Sequence, residues 1–261
     1  HEMAQFETLS MLFDKRIIGF LNNRILRRTG HGNHDTTIRK AVERIFQEKP
    51  DLTIFTGDAT SCGQKSEFDM AYDHFKPLVE SSLPFLYIPG NHDCYVYNRK
   101  CREEAEKFCL RMNRNRIGLK DFPFVWEDKN FRLLAANTSL PMPPLFSNGY
   151  MNRKTREFFK QECAKNKEGK VILSANHFPF TDPHPVLHCL HTLWGAETAA
   201  DLLKEKKIDL ALCGHIHKHR EALDETGRGE VIAGSLTGTG TLTLIEYDGK
   251  KDIFSVKQLP L

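Results

Sequence analysis

Four short segments place metal-binding and proton-transferring residue types directly after an apolar run. They are Ile54-Phe55-Thr56-Gly57-Asp58, Tyr87-Ile88-Pro89-Gly90-Asn91-His92-Asp93, Ile172-Leu173-Ser174-Ala175-Asn176-His177 and Leu210-Ala211-Leu212-Cys213-Gly214-His215-Ile216-His217. Each reads as a short buried strand that stops abruptly. Three of them stop at glycine, which lets the backbone turn sharply and approach closely. A single Gly-Asp pair or a lone histidine is commonplace, whereas four strand ends of one layout are not. In a helix-covered sheet such ends open on one edge, where ligands collect. The side chains brought together there are Asp58, Asn91, His92, Asp93, His177, His215 and His217.

The set contains carboxylate, amide and imidazole, and no thiolate. Such donors suit two divalent ions, with manganese first and iron, magnesium or zinc as alternatives, better than a structural zinc. A carboxylate must bridge two ions a few ångströms apart, and Asp58 is the natural candidate. Ions so paired neutralise phosphoryl oxygens and hold a hydroxide for in-line attack on phosphorus. The expected chemistry is hydrolysis of a phosphate ester or anhydride.

The elements that must position these residues alternate along the chain. Helical spacing of Ile38, Ala41, Val42, Ile45 and Phe46 follows Asp35, which reads as an N-cap. A strand is expected at Leu52–Phe55, a helix at Glu67–Leu78 and a strand at Phe85–Ile88. A basic helix at Arg99–Asn113, a strand at Phe131–Asn137 and a helix at Arg153–Lys165 follow. Strand Val171–Ala175, helix Glu197–Lys206 and strand Ile208–Leu212 continue the pattern. The tail reads as strands alone, at Glu230–Ala233, Thr241–Tyr247 and Ile253–Val256. Alternation with an all-strand tail implies an α/β domain, its sheet covered by helices and a second sheet packed on it. No repeat or interdomain linker interrupts residues 1–261, so one domain is expected.

Composition sets outer bounds. The 261 residues are 40% hydrophobic and 27% charged, with a net charge of +3. That composition is ordinary for a globular protein, and the charge is too small to imply nucleic acid. The seven cysteines are scattered without a C-x-x-C pair, which fits a reducing compartment better than a disulfide framework. With no apolar run long enough to span a bilayer and no evident signal peptide, a cytoplasmic location is expected. The segment Phe13–Arg28 mixes Ile17, Ile18, Phe20, Leu21, Ile25 and Leu26 with Lys15, Arg16, Arg24, Arg27 and Arg28. It reads as a helix packed on the core with a basic edge, or as an amphipathic surface for a membrane or an acyl chain.

The four segments resemble the signature of the calcineurin-like metallophosphoesterases, whose motifs run D-x-H, G-D, G-N-H-D/E, H and G-H-x-H. The resemblance covers the chain from about Phe13 to the C-terminal strands. It implies a four-layered αββα sandwich, two mixed sheets flanked by helices. It further implies that Asp58 bridges two metals, that Asn91, His177 and His215 bind one ion, and that His217 binds the other. Asn91 and His92 would meet substrate, with His92 protonating the leaving group and Asp93 orienting it. One motif departs from the pattern: no strand ending in Asp-x-His precedes Asp58. His1 stands where that motif's histidine is expected, followed by Phe13-Asp14-Lys15-Arg16 as in one subgroup, which puts the first strand upstream of residue 1. A second G-N-H-D, Gly32-Asn33-His34-Asp35, follows no strand and is set aside as a metal site.

The same subgroup resemblance suggests UDP-2,3-diacylglucosamine, a lipid A precursor, as substrate, and hence a place at the inner-membrane surface. A cyclic nucleotide phosphodiester is the alternative substrate, and a non-catalytic scaffold of the same fold the alternative class. His184, His188 and His191 read as exposed loop histidines, with a reach toward substrate as the alternative.

Overall fold

The computed structural model describes residues 15–16, 34–165, 167–181 and 188–261. Of the segment Phe13–Arg28, only Lys15 and Arg16 are among them. His1, His184 and most of that segment lie outside the described residues.

A six-stranded sheet forms the centre. Its strands are β3 (Phe124–Glu127), β4 (Phe131–Ala135), β6 (Val171–Ala175), β8 (Leu210–Cys213), β9 (Arg220–Leu223) and β10 (Gly229–Ile232), in the order β3-β4-β6-β8-β10-β9. The four inner strands run parallel and the two edge strands antiparallel to their neighbours. Parallel strands covered on both faces read as continuous apolar runs, and Val171-Ile172-Leu173 and Leu210-Ala211-Leu212 are such runs. Successive side chains turn to opposite faces. Leu134, Ile172 and Ala211 therefore join one cluster, with α4 (Arg153–Ala164) and α6 (Glu197–Lys204) through Phe159, Cys163, Ala199 and Leu202. Leu133, Ala135 and Ala175 join the other.

That second cluster is closed by the N-terminal half. β1 (Thr53–Phe55) pairs in parallel with β2 (Phe85–Tyr87). Outside them lie α1 (His34–Glu48), α2 (Lys65–Val79) and α3 (Arg99–Met112). α1 buries Ile38, Ala41, Val42 and Ile45, the expected face. Asp35, expected as its cap, lies in its first turn instead. The Asn98 side chain caps α3 by accepting the N–H groups of Lys100 and Cys101. The C-terminal hairpin of β11 (Thr241–Asp248) and β12 (Ile253–Pro260) follows the short helix α7 (Leu236–Thr239). The layers therefore run α4/α6, central sheet, β1-β2 with β11-β12, and α1–α3, which is the αββα order. Between β1 and β11 lies a cavity of about 650 Å³, lined by Ile54, Phe55, Leu242 and Leu244 and floored by Val171 and Leu210.

β3, β9 and the small parallel pair of β5 (Gly149–Tyr150) and β7 (Leu193–Trp194) were not expected from the sequence. β7 follows α5 (His188–His191). No helix among the described residues is long and apolar enough to cross a membrane. The six described cysteines are free thiols.

Candidate active site

The four strand ends meet where the sequence places them, at the C-terminal edge shared by β1, β2, β6 and β8. Gly57 takes a φ of 95°, and a Cβ there would lie 2.3 Å from the Gly90 nitrogen. A Cβ on Gly90 would fall 2.2 Å from Asp58 Oδ1. The two glycines thus let the two turns touch, which is why glycine stands at both. Beyond them the backbone is held against its preference: Asp58, His215 and His217 all adopt left-handed φ, at 61°, 67° and 62°. Such conformations are costly for side chains with a Cβ and recur where function fixes geometry.

Two oxygens organise the centre. Asn91 Oδ1 lies 3.0 Å from His177 Nε2 and 3.1 Å from His215 Nδ1. Asp58 Oδ2 lies 3.4 Å from His177 Nε2 and 3.8 Å from His217 Nε2. The His177 ring is oriented from behind, its Nδ1 bonding the Thr56 carbonyl at 2.6 Å. That contact turns Nε2 toward the oxygens, as carbonyl partners do for metal-ligating imidazoles. Asp58, Asn91 and His177 are buried, and His217 stands partly in solvent. No three His, Cys, Asp or Glu side chains among the described residues form a metal group by themselves. The Asn91 amide oxygen is needed to close the set. With it, mixed oxygen and imidazole donors converge on one point and Asp58 faces two histidines, a donor chemistry that fits two divalent cations.

The electrostatics follow from that crowding. Burial works to raise the Asp58 carboxyl, yet the charges of His177 and His92 together hold it well below its usual range. Burial, reinforced by His177, drives His215 well below the ordinary imidazole value, toward the neutral ligand form. Burial also lowers His92, against the pull of Asp58.

His92 has a different setting from the other histidines. Its backbone N–H donates to Asp58 Oδ1 at 2.9 Å, and its Nδ1 bonds the Ser61 carbonyl at 2.7 Å. Its ring stacks on Tyr95 with centroids 5.2 Å apart. Ser61 fills the orienting role that the resemblance gave to Asp93. The Asp93 carboxylate turns away and accepts the N–H groups of Asp58, Thr60 and Gly90 and the Tyr87 hydroxyl. Neighbouring residues at a sharp turn point apart, so adjacency in sequence did not make the pair.

Of the loop histidines, His191 brings its ring 6.1 Å from that of His215. Of the second G-N-H-D, His34 and Asp35 belong to α1, and Asp35 faces His74 at 3.5 Å; Gly32 and Asn33 lie outside the described residues. Ser61, Thr56 and Tyr95 escape sequence reading, the first two because they act through backbone carbonyls. Tyr95, three residues past His92, is the one with a readable signal, an aromatic in the turn after a candidate acid.

Comparison with known proteins decides the relationship: residues 28–219 match the calcineurin-like phosphoesterase family. The chain belongs to that family. Among curated proteins, this calcineurin-like phosphoesterase is 30% identical over 174 residues to a probable glycerophosphodiester phosphodiesterase, GpdQ, of Arcobacter nitrofigilis, covering 66% of this chain and 59% of that protein. It is 24% identical over 223 residues to tartrate-resistant acid phosphatase type 5 of Sus scrofa, covering 77% of this chain and 60% of that one. The chain thus spans about three fifths of the length of these relatives. Among solved structures, a dimetal phosphatase from Danio rerio shares the fold, with a TM-score of 0.61 at 15% identity over 87% of this chain and 83% of that one.

Proposed function

We propose that this chain is a dimetal hydrolase of phosphate esters, with His92 as its general acid. The observation that carries the reading is the double reach of Asp58 and Asn91, each facing two imidazoles at the meeting point of four strand ends. Asp58, Asn91, His177 and His215 would hold one ion, and Asp58 with His217 the other. When bound, the ions supply charge neutralisation at the phosphoryl oxygens and activate the attacking water. The chain's own residues do the rest. Asn91 and His92 face the scissile phosphate from the β2 turn, and His92 passes a proton to the leaving-group oxygen. The Ser61 carbonyl fixes the ring through Nδ1, and Nε2 is the nitrogen that would make that transfer. An intact, separately oriented imidazole beside the ligand set also weighs against a scaffold that has lost catalysis.

The similarity to a probable glycerophosphodiester phosphodiesterase favours a phosphodiester among possible substrates. The acylated UDP-glucosamine reading rests on Phe13–Arg28, most of which lies outside the described residues, and the site offers it no separate support. Among the described residues, Asp58 is the carboxylate that faces His217. The cavity between β1 and β11 supports the expectation of one more strand there, ending beside Asp58 and His217. At the spacings of a packed sheet a strand fills about 160 Å³ per residue, so about 650 Å³ accommodates at least four residues.

The test is His92→Ala. Metal content should stay near wild type while kcat on an aryl phosphodiester falls about a hundredfold or more, the usual cost of a lost general acid. Loss of metal together with activity would make His92 a ligand and overturn its role.

A further inference from the structure

Lys15 sits beside the proposed acid without a charge partner. Its ammonium lies 4.7 Å from the centre of the Tyr95 ring, the same ring on which His92 stacks at 5.2 Å. These two contacts bound the ammonium within about 10 Å of the imidazole. An ammonium carries three donors, and among the described residues Lys15 has one acceptor, the Phe146 carbonyl at 2.7 Å. No carboxylate among them pairs with it. The position is nonetheless fixed. The next residue, Arg16, is 3% exposed, bonds Cys101 Sγ through its guanidinium and accepts the Cys62 thiol at its carbonyl.

A half-buried cation with unmet donors is costly unless it meets an anion. Among the described residues no carboxylate pairs with it, and its contacts are the Tyr95 ring and the Phe146 carbonyl. The Cys62 thiol is the titratable group whose charge acts on it. Cation–π attraction to Tyr95 holds the ammonium in place without neutralising its charge. Because His92 addresses the leaving-group oxygen in the reading above, Lys15 flanks the leaving-group side.

We infer that Lys15 is a specificity residue that binds an anionic group carried by the leaving group, so that the preferred substrates are phosphate esters of alcohols bearing a second negative charge. The inference rests on the proposed esterase activity and on the role of His92. Burial lowers the Lys15 ammonium from its ordinary value to about 8. The charge is therefore present below that pH and lost above it, and the preference should follow.

The experiment compares phenyl phosphate with 4-carboxyphenyl phosphate, which differ only in an anion on the leaving group, using the metal-loaded protein. Wild type should favour the carboxylated ester about tenfold in kcat/KM, mainly through KM, at pH 7, the worth of one partly exposed ion pair. The preference should fade as pH rises through about 8. Lys15→Met should abolish it, and Lys15→Arg should keep it to higher pH. Calorimetry with phenylphosphonate and 4-carboxyphenylphosphonate should give the same order in binding alone. Hydrolysis without a carboxylate preference, a preference that survives Lys15→Met, or one with the same pH dependence in Lys15→Arg overturns the inference. Failure to hydrolyse these esters and an aryl phosphodiester alike would instead overturn the esterase reading, with the phosphonate calorimetry still deciding the inference.

Discussion

The Asp93 carboxylate accepts the backbone N–H of Asp58 at 2.8 Å, tying together two turns 35 residues apart in the chain. The same group takes the N–H groups of Thr60 and Gly90 and the hydroxyls of Thr60 and the fully buried Tyr87. A buried carboxylate that satisfies so many donors fixes where Asp58 points, although it faces neither substrate nor the acid.

Asp93→Asn tests that arrangement. An amide nitrogen placed among N–H donors cannot accept them, and each buried donor left unmet costs about 1–3 kcal/mol. Destabilisation of about 3 kcal/mol or more is expected in chemical denaturation, together with loss of metal, because the Asp58 turn loosens. His92→Ala should leave stability and metal nearly unchanged, so the two variants separate scaffold from acid. An Asp93→Asn protein of wild-type stability that lost only kcat would return Asp93 to the role of orienting His92.

How much of this was legible in the sequence depends on whether a role is carried by a side chain or by the backbone. Asp58, Asn91, His177, His215 and His217 were legible because an apolar run that stops at a polar cluster marks a strand end, and parallel strands share an edge. A helix-covered sheet with a second sheet packed on it followed from the helix–strand alternation and the all-strand tail, and the αββα layering from the family resemblance. Ser61 was not legible, since any residue type supplies a carbonyl. The contacts of the Asp93 carboxylate with the Asp58, Thr60 and Gly90 N–H groups were not legible either, since chain neighbours need not be spatial partners. Phe124–Glu127 escaped because a four-residue edge strand following Pro123 has little periodicity to read. Gly149–Tyr150 and Leu193–Trp194 are too short to have any. Lys15 looked like one basic residue among many; that it meets the Tyr95 ring, and no carboxylate among the described residues, only packing reveals.

A pH dependence should arise at Glu230. This buried carboxylate on β10 accepts the N–H of Phe180 at 2.6 Å and bonds the backbone and hydroxyl of Thr181, so it holds the loop that follows His177. Burial, outweighing these bonds, raises its pKa above the ordinary value. The folded state therefore binds the proton more tightly than the unfolded chain. The sign is fixed: this group favours folding at acid pH, and its contribution is lost as pH climbs from the ordinary carboxyl range through the raised value, at a slope of up to about 1.4 kcal/mol per pH unit. Glu230→Gln cannot titrate. The stability of wild type relative to Glu230→Gln should thus decline with rising pH over that window and level off above it. A difference that grows with pH would mean that Glu230 is stabilised as the anion.

The last prediction concerns metal stoichiometry. Asn91 Oδ1 faces two imidazoles that are each positioned by another contact: Thr56 holds His177, and the His215 turn is fixed by the bond from the Gly214 N–H to the His177 carbonyl at 2.9 Å. Preorganised donors bind without a further ordering cost. The second position has His217, partly in solvent and 3.8 Å from Asp58 Oδ2, and opens toward the cavity between β1 and β11. Titration of the chain with manganese should therefore resolve a tight equivalent and a weaker one. His215→Ala should remove the tight class, and His217→Ala the weak class alone. If the strand expected between β1 and β11 supplies the remaining ligands, a chain extended to include it should convert the weak class to a tight one without altering the first. Two equally tight equivalents in the present chain, or loss of both with His217→Ala, would mean that one undivided centre replaces the two proposed.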